Sequence, residues 1–327
     1  MQEFPWRHQG RYNSFAPLFR DFFGGGKVQK ISIEGGFTCP NRDGSRGRGG
    51  CTYCNNEAFS PALGAIGGAG GCERSVTLQM EEGIRFFAHK YQGMKYLAYF
   101  QSFSNTYAPV ERLRALYGEA LAYPGVAGLV IATRPDCLGK EVLDLLAALS
   151  EQTYVMLEVG LESHLDRTLK EINRGHTFAE AVKALEEAAA RKIRTTLHMI
   201  LGLPGESHDD FLDQAGVISQ LPVDNLKLHQ MQIHRGTVMA RQYSRDPSRF
   251  NLFGAEEYAA LVVDYLELLN PAISVERFTS QAPTELLIAP SWGIKNYLFT
   301  AMVEKLLEER DTWQGKSLFV RKRGWRR

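Results

Sequence analysis

Three cysteines stand close together in a glycine-rich segment, GGFTCPNRDGSRGRGGCTYCN, at positions Cys39, Cys51 and Cys54. Thiolates are soft ligands that hold iron–sulfur clusters, and the Cys-x2-Cys spacing lets two sulfurs bind neighbouring irons of one cube. A four-iron cluster takes four ligands, so three cysteines would leave one iron open to a small molecule. The same spacing is typical of zinc sites, with Cys72 or a histidine as the fourth ligand. Both interpretations stay open on the cysteines alone.

The elements that must position this loop follow an alternating pattern. From residue 28 onward, β-branched or aromatic runs alternate with longer segments of helical periodicity, which predicts βα units around a parallel sheet. We expect strands near 28–34, 96–101, 127–132, 154–159, 195–201 and 225–231. We expect helices near 76–92, 109–122, 139–150, 178–191 and 207–219. Six such strands with right-handed crossovers predict an α/β fold, a partial (β/α)6 TIM-type barrel that is open on one side.

Small extensions flank this barrel at both ends. We expect an N-terminal arm at 1–27, the barrel at 28–235, a C-terminal extension at 236–315 and a basic tail at 316–327. The extension contains a predicted helix near 254–269, a strand near 272–278 and a helix near 294–310. Four of its side chains are expected to close the open side of the barrel: Glu276, Arg277, Trp292 and Lys295.

Composition sets the class of protein. A chain of 327 residues that is 44% hydrophobic can bury a large core. No apolar run approaches the roughly 20 residues that span a bilayer, and the N-terminus lacks a secretory h-region, so we expect a cytoplasmic protein with no membrane partner. Five cysteines are too few and too clustered for a disulfide framework. Cys72 and Cys137 stay unassigned, and burial is favoured over a radical-quenching role for both.

Polar residues follow the predicted strands at the barrel end where chemistry gathers. Arg134 either contacts a ligand or pairs with Asp136, and the buried carboxylate of Glu158 is costly unless it is paired. The sixth strand offers Lys227, His229, Gln232 and His234, and alternate residues of a strand face the barrel lumen. The remaining candidates lie in QSF, NRGHT and GLPG segments: Gln101, Ser102, Phe103, Arg174, His176 and Gly202.

Taken together, these motifs resemble the radical S-adenosylmethionine (SAM) superfamily. Its usual spacing is Cys-x3-Cys-x2-Cys, and this sequence departs from it with eleven residues between Cys39 and Cys51. The longer spacing is similar to that of the Elongator catalytic subunit and, more closely, of the bacterial YhcC/YtqA-like radical SAM proteins. The NRGHT segment is also shared with oxygen-independent coproporphyrinogen oxidase. The resemblance runs through the barrel in order and continues into the extension.

The resemblance implies a ligand set. Cys39, Cys51 and Cys54 would hold a 4Fe–4S cluster whose fourth iron is chelated by SAM. The other residues that it implies for SAM are Tyr53 and Gly202 near the adenine, Gln101, Ser102 and Phe103 for the amino group, Glu158 for the ribose, and Arg134, Arg174 or His176 for the remaining polar atoms. Substrate-side candidates are Lys227, His229, His234 and Lys295.

By the same resemblance, the protein is expected to be an oxidoreductase that cleaves SAM to a 5′-deoxyadenosyl radical. Its substrate would be the wobble uridine of tRNA, with carboxymethylaminomethyl converted toward aminomethyl, and its electron donor a flavodoxin or ferredoxin. The tail adds independent support for RNA, because it combines basic and aromatic side chains: Phe319, Arg321, Lys322, Arg323, Trp325, Arg326 and Arg327. The alternatives are a radical SAM enzyme acting on a small molecule such as a porphyrin precursor, and a non-catalytic zinc or RNA-binding protein.

Overall fold

Seven short strands form one curled parallel sheet in the computed structural model, which describes residues 4–6, 8, 10–59, 74–88 and 93–318. The strands are β1 (Val28–Ile33), β2 (Lys95–Phe100), β3 (Val126–Thr133), β4 (Tyr154–Glu162), β5 (Arg194–Leu201), β6 (Asn225–Gln230) and β8 (Ser274–Arg277). They neighbour one another in that order, and every pairing is parallel. A separate antiparallel pair joins β7 (Ile233–His234) to β9 (Leu287–Ala289).

Helices connect the strands, and the longer ones cover the outer face of this sheet. They are α1 (Phe15–Phe22), α2 (Pro40–Asp43), α3 (Asn56–Phe59), α4 (Val76–Ala88), α5 (Val110–Ala122), α6 (Lys140–Ser150), α7 (Asp166–Glu171), α8 (Phe178–Ala190), α9 (His208–Ile218), α10 (Val238–Arg245), α11 (Ala255–Leu268) and α12 (Asn296–Glu309). Two of the crossover helices begin with capping boxes, Thr177 with Glu180 and Ser207 with Asp210, which satisfy the first free N–H groups of each helix.

The predicted partial barrel is confirmed, and its sheet has one strand more than the six assigned to the barrel. Strand β8 comes from the C-terminal extension and pairs with β6, whose edge would otherwise be open. The N-terminal arm continues this edge, because the Val275 N–H donates to the Asn13 carbonyl at 2.8 Å and Ser14 bridges to Val275. Pattern alone missed α1, α2, α3, α7 and α10, which are short helices in segments without a long apolar periodicity.

The two faces of the sheet differ in chemistry. Residues such as Ile31, Leu129 and Leu197 are fully buried against the helices and form the apolar core. Their neighbours along the strands, such as Lys30 and Glu158, point into the lumen and meet one another there. The barrel therefore positions a polar interior below the cysteine loop. No helix in the described part of the chain is long and apolar enough to span a membrane.

Candidate functional site

The cysteine loop leaves the C-terminal end of β1 and folds back over the barrel mouth. Cys39 is the N-cap of α2, and a turn joins Cys51 to Cys54, whose N–H donates to the Cys51 carbonyl at 3.0 Å. Cations approach the sulfur atoms: Arg42 Nη2 lies 3.3 Å from the Cys54 Sγ, and Arg174 Nη1 lies 3.4 Å from the Cys51 Sγ. The loop therefore gathers thiols beside two cationic side chains.

The arrangement of the thiols fits a cluster. Burial, together with the nearby Cys51 and Cys39, raises the pKa of the Cys54 thiol to about 11 against the opposing effect of Arg42. Grouped thiolates are therefore unfavourable until metal compensates them. Among the described residues, no three histidine, cysteine or acidic side chains converge closely enough to hold a single metal ion. Thiolates are the ligands that an iron–sulfur cube takes from a protein, one for each iron that the protein binds. Cys72 lies outside the described residues.

Buried nitrogen atoms without partners surround the same loop. Arg134 binds Asp136 through two contacts of 2.9 and 3.0 Å and donates to the Arg174 carbonyl at 2.7 Å, yet its Nη1 is buried and has no partner in the described structure. Arg174 Nε and His176 Nε2 are likewise buried and have no hydrogen-bond partner among the described residues. Burial and the two arginines lower the pKa of His176 to about 3, so its ring is neutral. These unsatisfied groups are suited to the polar atoms of a bound cofactor.

The backbone at the barrel mouth adopts unusual conformations. Phe103, Glu162 and Asn173 have φ values of 61°, 75° and 53°, a region that side-chain-bearing residues rarely occupy. Such conformations cluster at functional sites because surrounding contacts must hold them. Gln101 turns inward, and its Nε2 donates to the Ser32 hydroxyl at 2.9 Å. The segment containing Gln101, Ser102 and Phe103 therefore lies at the mouth, as the sequence predicts.

Deeper in the lumen, Glu158 lies at the centre of an ionic network rather than open to a ligand. Its Oε1 accepts from Lys30 Nζ at 3.0 Å and Lys227 Nζ at 2.5 Å, while its Oε2 accepts from the Tyr99 hydroxyl at 2.6 Å and contacts His198 Nε2 at 3.0 Å. Although burial opposes ionisation, Lys227 and Lys30 lower the pKa of Glu158 well below its ordinary value. Binding of the SAM ribose by Glu158 stays a prediction, since these four contacts already use both oxygens.

The second carboxylate of the lumen comes from β8. Glu276 Oε1 accepts from Lys30 Nζ at 2.7 Å, and its Oε2 accepts from Asn225 Nδ2 at 3.2 Å. Burial lowers the pKa of Lys227 to about 8 against the opposing attraction of Glu158 and Glu276. A lysine with this pKa is still mainly protonated at neutral pH, so the network contains two ammonium groups and two carboxylates.

His229 and Arg277 lie above this network. Arg277 Nη2 donates to His229 Nε2 at 2.8 Å, and the rings of His229 and His198 are 5.3 Å apart. Burial, followed by the charge of Arg277, lowers the pKa of His229 well below its ordinary value, so the ring is neutral. Of the predicted substrate-side residues, Lys227 and His229 therefore share the lumen.

Other predicted residues lie elsewhere. His234 is buried behind the cysteine loop next to the backbone of Tyr53. Lys295 is exposed at the N-cap of α12. Gly202 has φ 98°, and a Cβ there would lie 3.1 Å from the Phe253 ring and 3.2 Å from the Met231 Cβ, so packing within the protein explains the glycine. Tyr53 is buried in the apolar cluster that contains Cys51, and its predicted contact with adenine stays a prediction.

The sequence analysis missed three lumen residues, Lys30, Tyr99 and His198. Each stands in a strand at an alternate position from an apolar core residue, so strand alternation was the signal that could have found them. Cys137 is buried as predicted, and burial raises its pKa to about 12. A surface cavity of about 1150 Å³, lined by residues such as Asn13, Gln220 and Pro271, lies near the N-terminal ends of β6 and β8. It holds none of the cysteines and lies away from the barrel end that carries chemistry.

Comparison with known proteins agrees with this geometry. The model of the Radical SAM superfamily matches residues 39–215, and that of the Radical_SAM C-terminal domain matches residues 223–309. The chain is 38% identical over 314 residues to the uncharacterized protein YtqA of Bacillus subtilis, covering 96% of this chain and 95% of that one. It is 25% identical over 186 residues to the tRNA uridine(34) acetyltransferase of Dehalococcoides mccartyi, and the match covers 56% of this chain and 39% of that one. The structure of Elp3 from Methanocaldococcus infernus, with an N-terminal deletion, superposes with a TM-score of 0.65 at 16% identity, covering 88% of this chain and 64% of that one.

Proposed function

This chain belongs to the radical SAM superfamily, and we propose that it modifies the wobble uridine of tRNA, converting a carboxymethylaminomethyl side chain to aminomethyl. In that reaction SAM would take two electrons from the nitrogen-bound carbon of the carboxymethyl group, and water would then release this group as glyoxylate. Membership of the superfamily implies a 4Fe–4S cluster and SAM, and it makes the protein an enzyme. When bound, these groups supply a carbon-centred radical that abstracts hydrogen from an unreactive carbon. The protein must hold the cofactors, orient the substrate and exclude water.

Different groups of residues would bind the cluster, SAM and the substrate. Cys39, Cys51 and Cys54 would hold the cluster, and the cations beside them compensate its negative charge. Arg134 and Arg174, with their buried unpartnered nitrogen atoms, would hold polar atoms of SAM. The ionic network below keeps the lumen polar and fixes the position of the side chains that line it. The substrate's reacting carbon would therefore enter between the cysteine loop and the lumen.

One surface carries the RNA part of the proposal. Helix α10 packs against the cysteine loop, because the Met239 N–H donates to the Thr52 carbonyl at 2.9 Å. Its outer side, with the preceding turn, exposes three arginines that we call the α10 arginine face: Arg235, Arg241 and Arg245. No acidic residue occurs between positions 225 and 245, and neither Arg241 nor Arg245 pairs with a carboxylate in the described part of the chain. An exposed, unneutralised basic face beside the reaction centre is suited to a phosphate backbone.

The relatives add support. The D. mccartyi relative is by name an enzyme of tRNA uridine 34, and its match covers about half of this chain. The basic tail predicted to favour RNA lies largely outside the described residues, so the α10 arginine face is the basic surface on which the structural argument rests.

The first experiment tests the class and the substrate together. Anaerobically reconstituted protein is analysed for iron, sulfide and reductive formation of 5′-deoxyadenosine, alone and with tRNA that carries carboxymethylaminomethyluridine, and nucleosides are measured by mass spectrometry. A Cys39/Cys51/Cys54→Ala variant should lose the cluster and all SAM cleavage. Conversion to the aminomethyl nucleoside supports the proposal. SAM cleavage without conversion of the tRNA would instead leave a small-molecule substrate as the better explanation.

A matched pair of variants tests the α10 arginine face. Arg241→Ala/Arg245→Ala should weaken tRNA binding and reduce the slope of log K against log salt by about 2, since each phosphate contact contributes about one counterion. The control, Arg85→Ala/Lys183→Ala, removes two exposed charges from helices α4 and α8, which do not contribute to the α10 arginine face. Equal effects of both pairs would mean that net charge, and not this face, governs binding.

A further inference from the structure

The pairing of β6 with β8 contains an irregularity that changes what faces the lumen. Leu226 pairs with Val275, but the next residue, Lys227, pairs with Arg277, so β8 has one extra residue, Glu276. In a regular strand, two successive side chains point to opposite faces, whereas a bulge can re-aim one of them. As a result, Glu276 and Arg277 both reach lumen groups, Lys30 and His229 respectively.

The resulting charges do not balance. We call five charged residues of the lumen the lumen cluster. Four of them form ion pairs with one another and the fifth, Arg277, lies beside them: Lys30, Glu158, Lys227, Glu276 and Arg277. The two carboxylates neutralise the two lysines, which leaves the guanidinium of Arg277 as a surplus positive charge. The neighbouring His198 and His229 do not change this sum, because burial lowers the pKa of both imidazoles.

Arg277 is held in place but is not neutralised. Its Nη2 donates to a neutral imidazole, and its Nε is buried without a partner. Within the described residues it forms no ion pair with a carboxylate, since both oxygens of Glu276 bind other groups. A largely buried cation without a counter-charge is costly, and a guanidinium presents parallel N–H donors that match a carboxylate. The arrangement is therefore that of a binding group whose anion comes from outside the chain.

We propose that Arg277 binds a carboxylate of the substrate in the barrel lumen, and this assignment rests on the proposed function for the identity of that substrate. Under that function the group is the terminal carboxylate of carboxymethylaminomethyluridine. Arg134 and Arg174 lie beside the cysteine loop and would hold the carboxylate of SAM. Because the aminomethyl product has lost the carboxylate, Arg277 distinguishes substrate from product.

The test uses cluster-containing protein with SAM and two anticodon stem-loop RNAs that differ only in carrying carboxymethylaminomethyl or aminomethyl at the wobble uridine. Wild type should bind the carboxylate-bearing RNA about tenfold to hundredfold more tightly, the range expected of charge-assisted hydrogen bonds. Arg277→Met should lose this preference while keeping its affinity for the aminomethyl RNA and its iron content. The control is Arg194→Met, another partly buried arginine on a barrel strand, which stacks on Phe22 and Tyr154; it should keep the preference.

A second readout separates this inference from the proposed function. Thermal unfolding of the same proteins is compared in sodium acetate and sodium chloride at equal ionic strength, because an anion that binds only the folded state raises the melting temperature. A specific effect of acetate in wild type and Arg194→Met, absent in Arg277→Met, would support the carboxylate site even if wild type neither converts nor distinguishes the RNAs. If Arg277→Met keeps the wild-type preference between the two RNAs, the inference is overturned while the proposed function stands. The same holds if Arg277→Met loses only affinity for SAM. If the RNAs are not distinguished, equal acetate effects in wild type and Arg277→Met would also overturn it.

Discussion

Replacing Glu158 by glutamine would test whether this carboxylate is structural before any cofactor binds. The side chain is fully buried and receives Lys30, Lys227, Tyr99 and His198. Glutamine keeps the shape but removes the charge, which leaves three lumen cations opposed by Glu276 alone. Removing one partner of a buried ion pair costs about 3–5 kcal/mol. We therefore expect the melting temperature of the Glu158→Gln protein to fall by on the order of 10 °C.

The assay is thermal unfolding followed by circular dichroism at matched iron content, with and without SAM. Glu187→Gln, on the outer side of α8, is the control and should change stability by less than about 0.5 kcal/mol. Adding Lys227→Met to Glu158→Gln returns the lumen cluster to its wild-type net charge, so the double variant should be less destabilised than the sum of the single variants. A Glu158→Gln protein that is as stable as wild type without SAM, but binds SAM poorly, would refute the network interpretation and favour the ribose contact.

Two further predictions concern stability. Burial raises the pKa of Glu206 to about 7, so the folded state holds its proton more tightly than the unfolded state, and the stabilisation present below about pH 4.5 is lost as pH rises to 7. Relative to wild type, Glu206→Gln should therefore gain about 3 kcal/mol between pH 4.5 and 8, measured by urea unfolding; a pH-independent difference would contradict this. Gly128→Ala should cost about 3 kcal/mol, since φ is 152° and the new Cβ would lie 2.1 Å from the Tyr154 carbonyl oxygen. Gly118→Ala, in an open position on α5, should stabilise slightly, and similar melting temperatures for the two variants would exclude the steric explanation.

Local patterns were sufficient to predict most of the barrel. The strand around Leu197 and the helix that follows Ser207 are visible in the sequence because burial imposes a period on each, and the capping box marks where the helix begins. The same patterns place the cysteine loop and NRGHT at one end of the sheet. They do not predict which polar side chains meet, since Lys30 and Glu276 contact each other only because the sheet curls through its full width. Short helices such as α10 were also not predicted, because about two turns contain too few residues to show a helical period.

Two bulges account for what strand alternation could not predict. On β4, Gly160 pairs with His198 and Glu162 with the next residue, Met199, so the extra residue turns Glu162 toward Arg174 at 3.5 Å beside the cysteine loop. The bulge on β8 does the same for Arg277 in the lumen. A pattern of alternating residues assumes constant register, and one inserted residue reverses every assignment beyond it. Both of these bulges therefore bring a charged side chain to the candidate site, Glu162 beside the cysteine loop and Arg277 in the lumen.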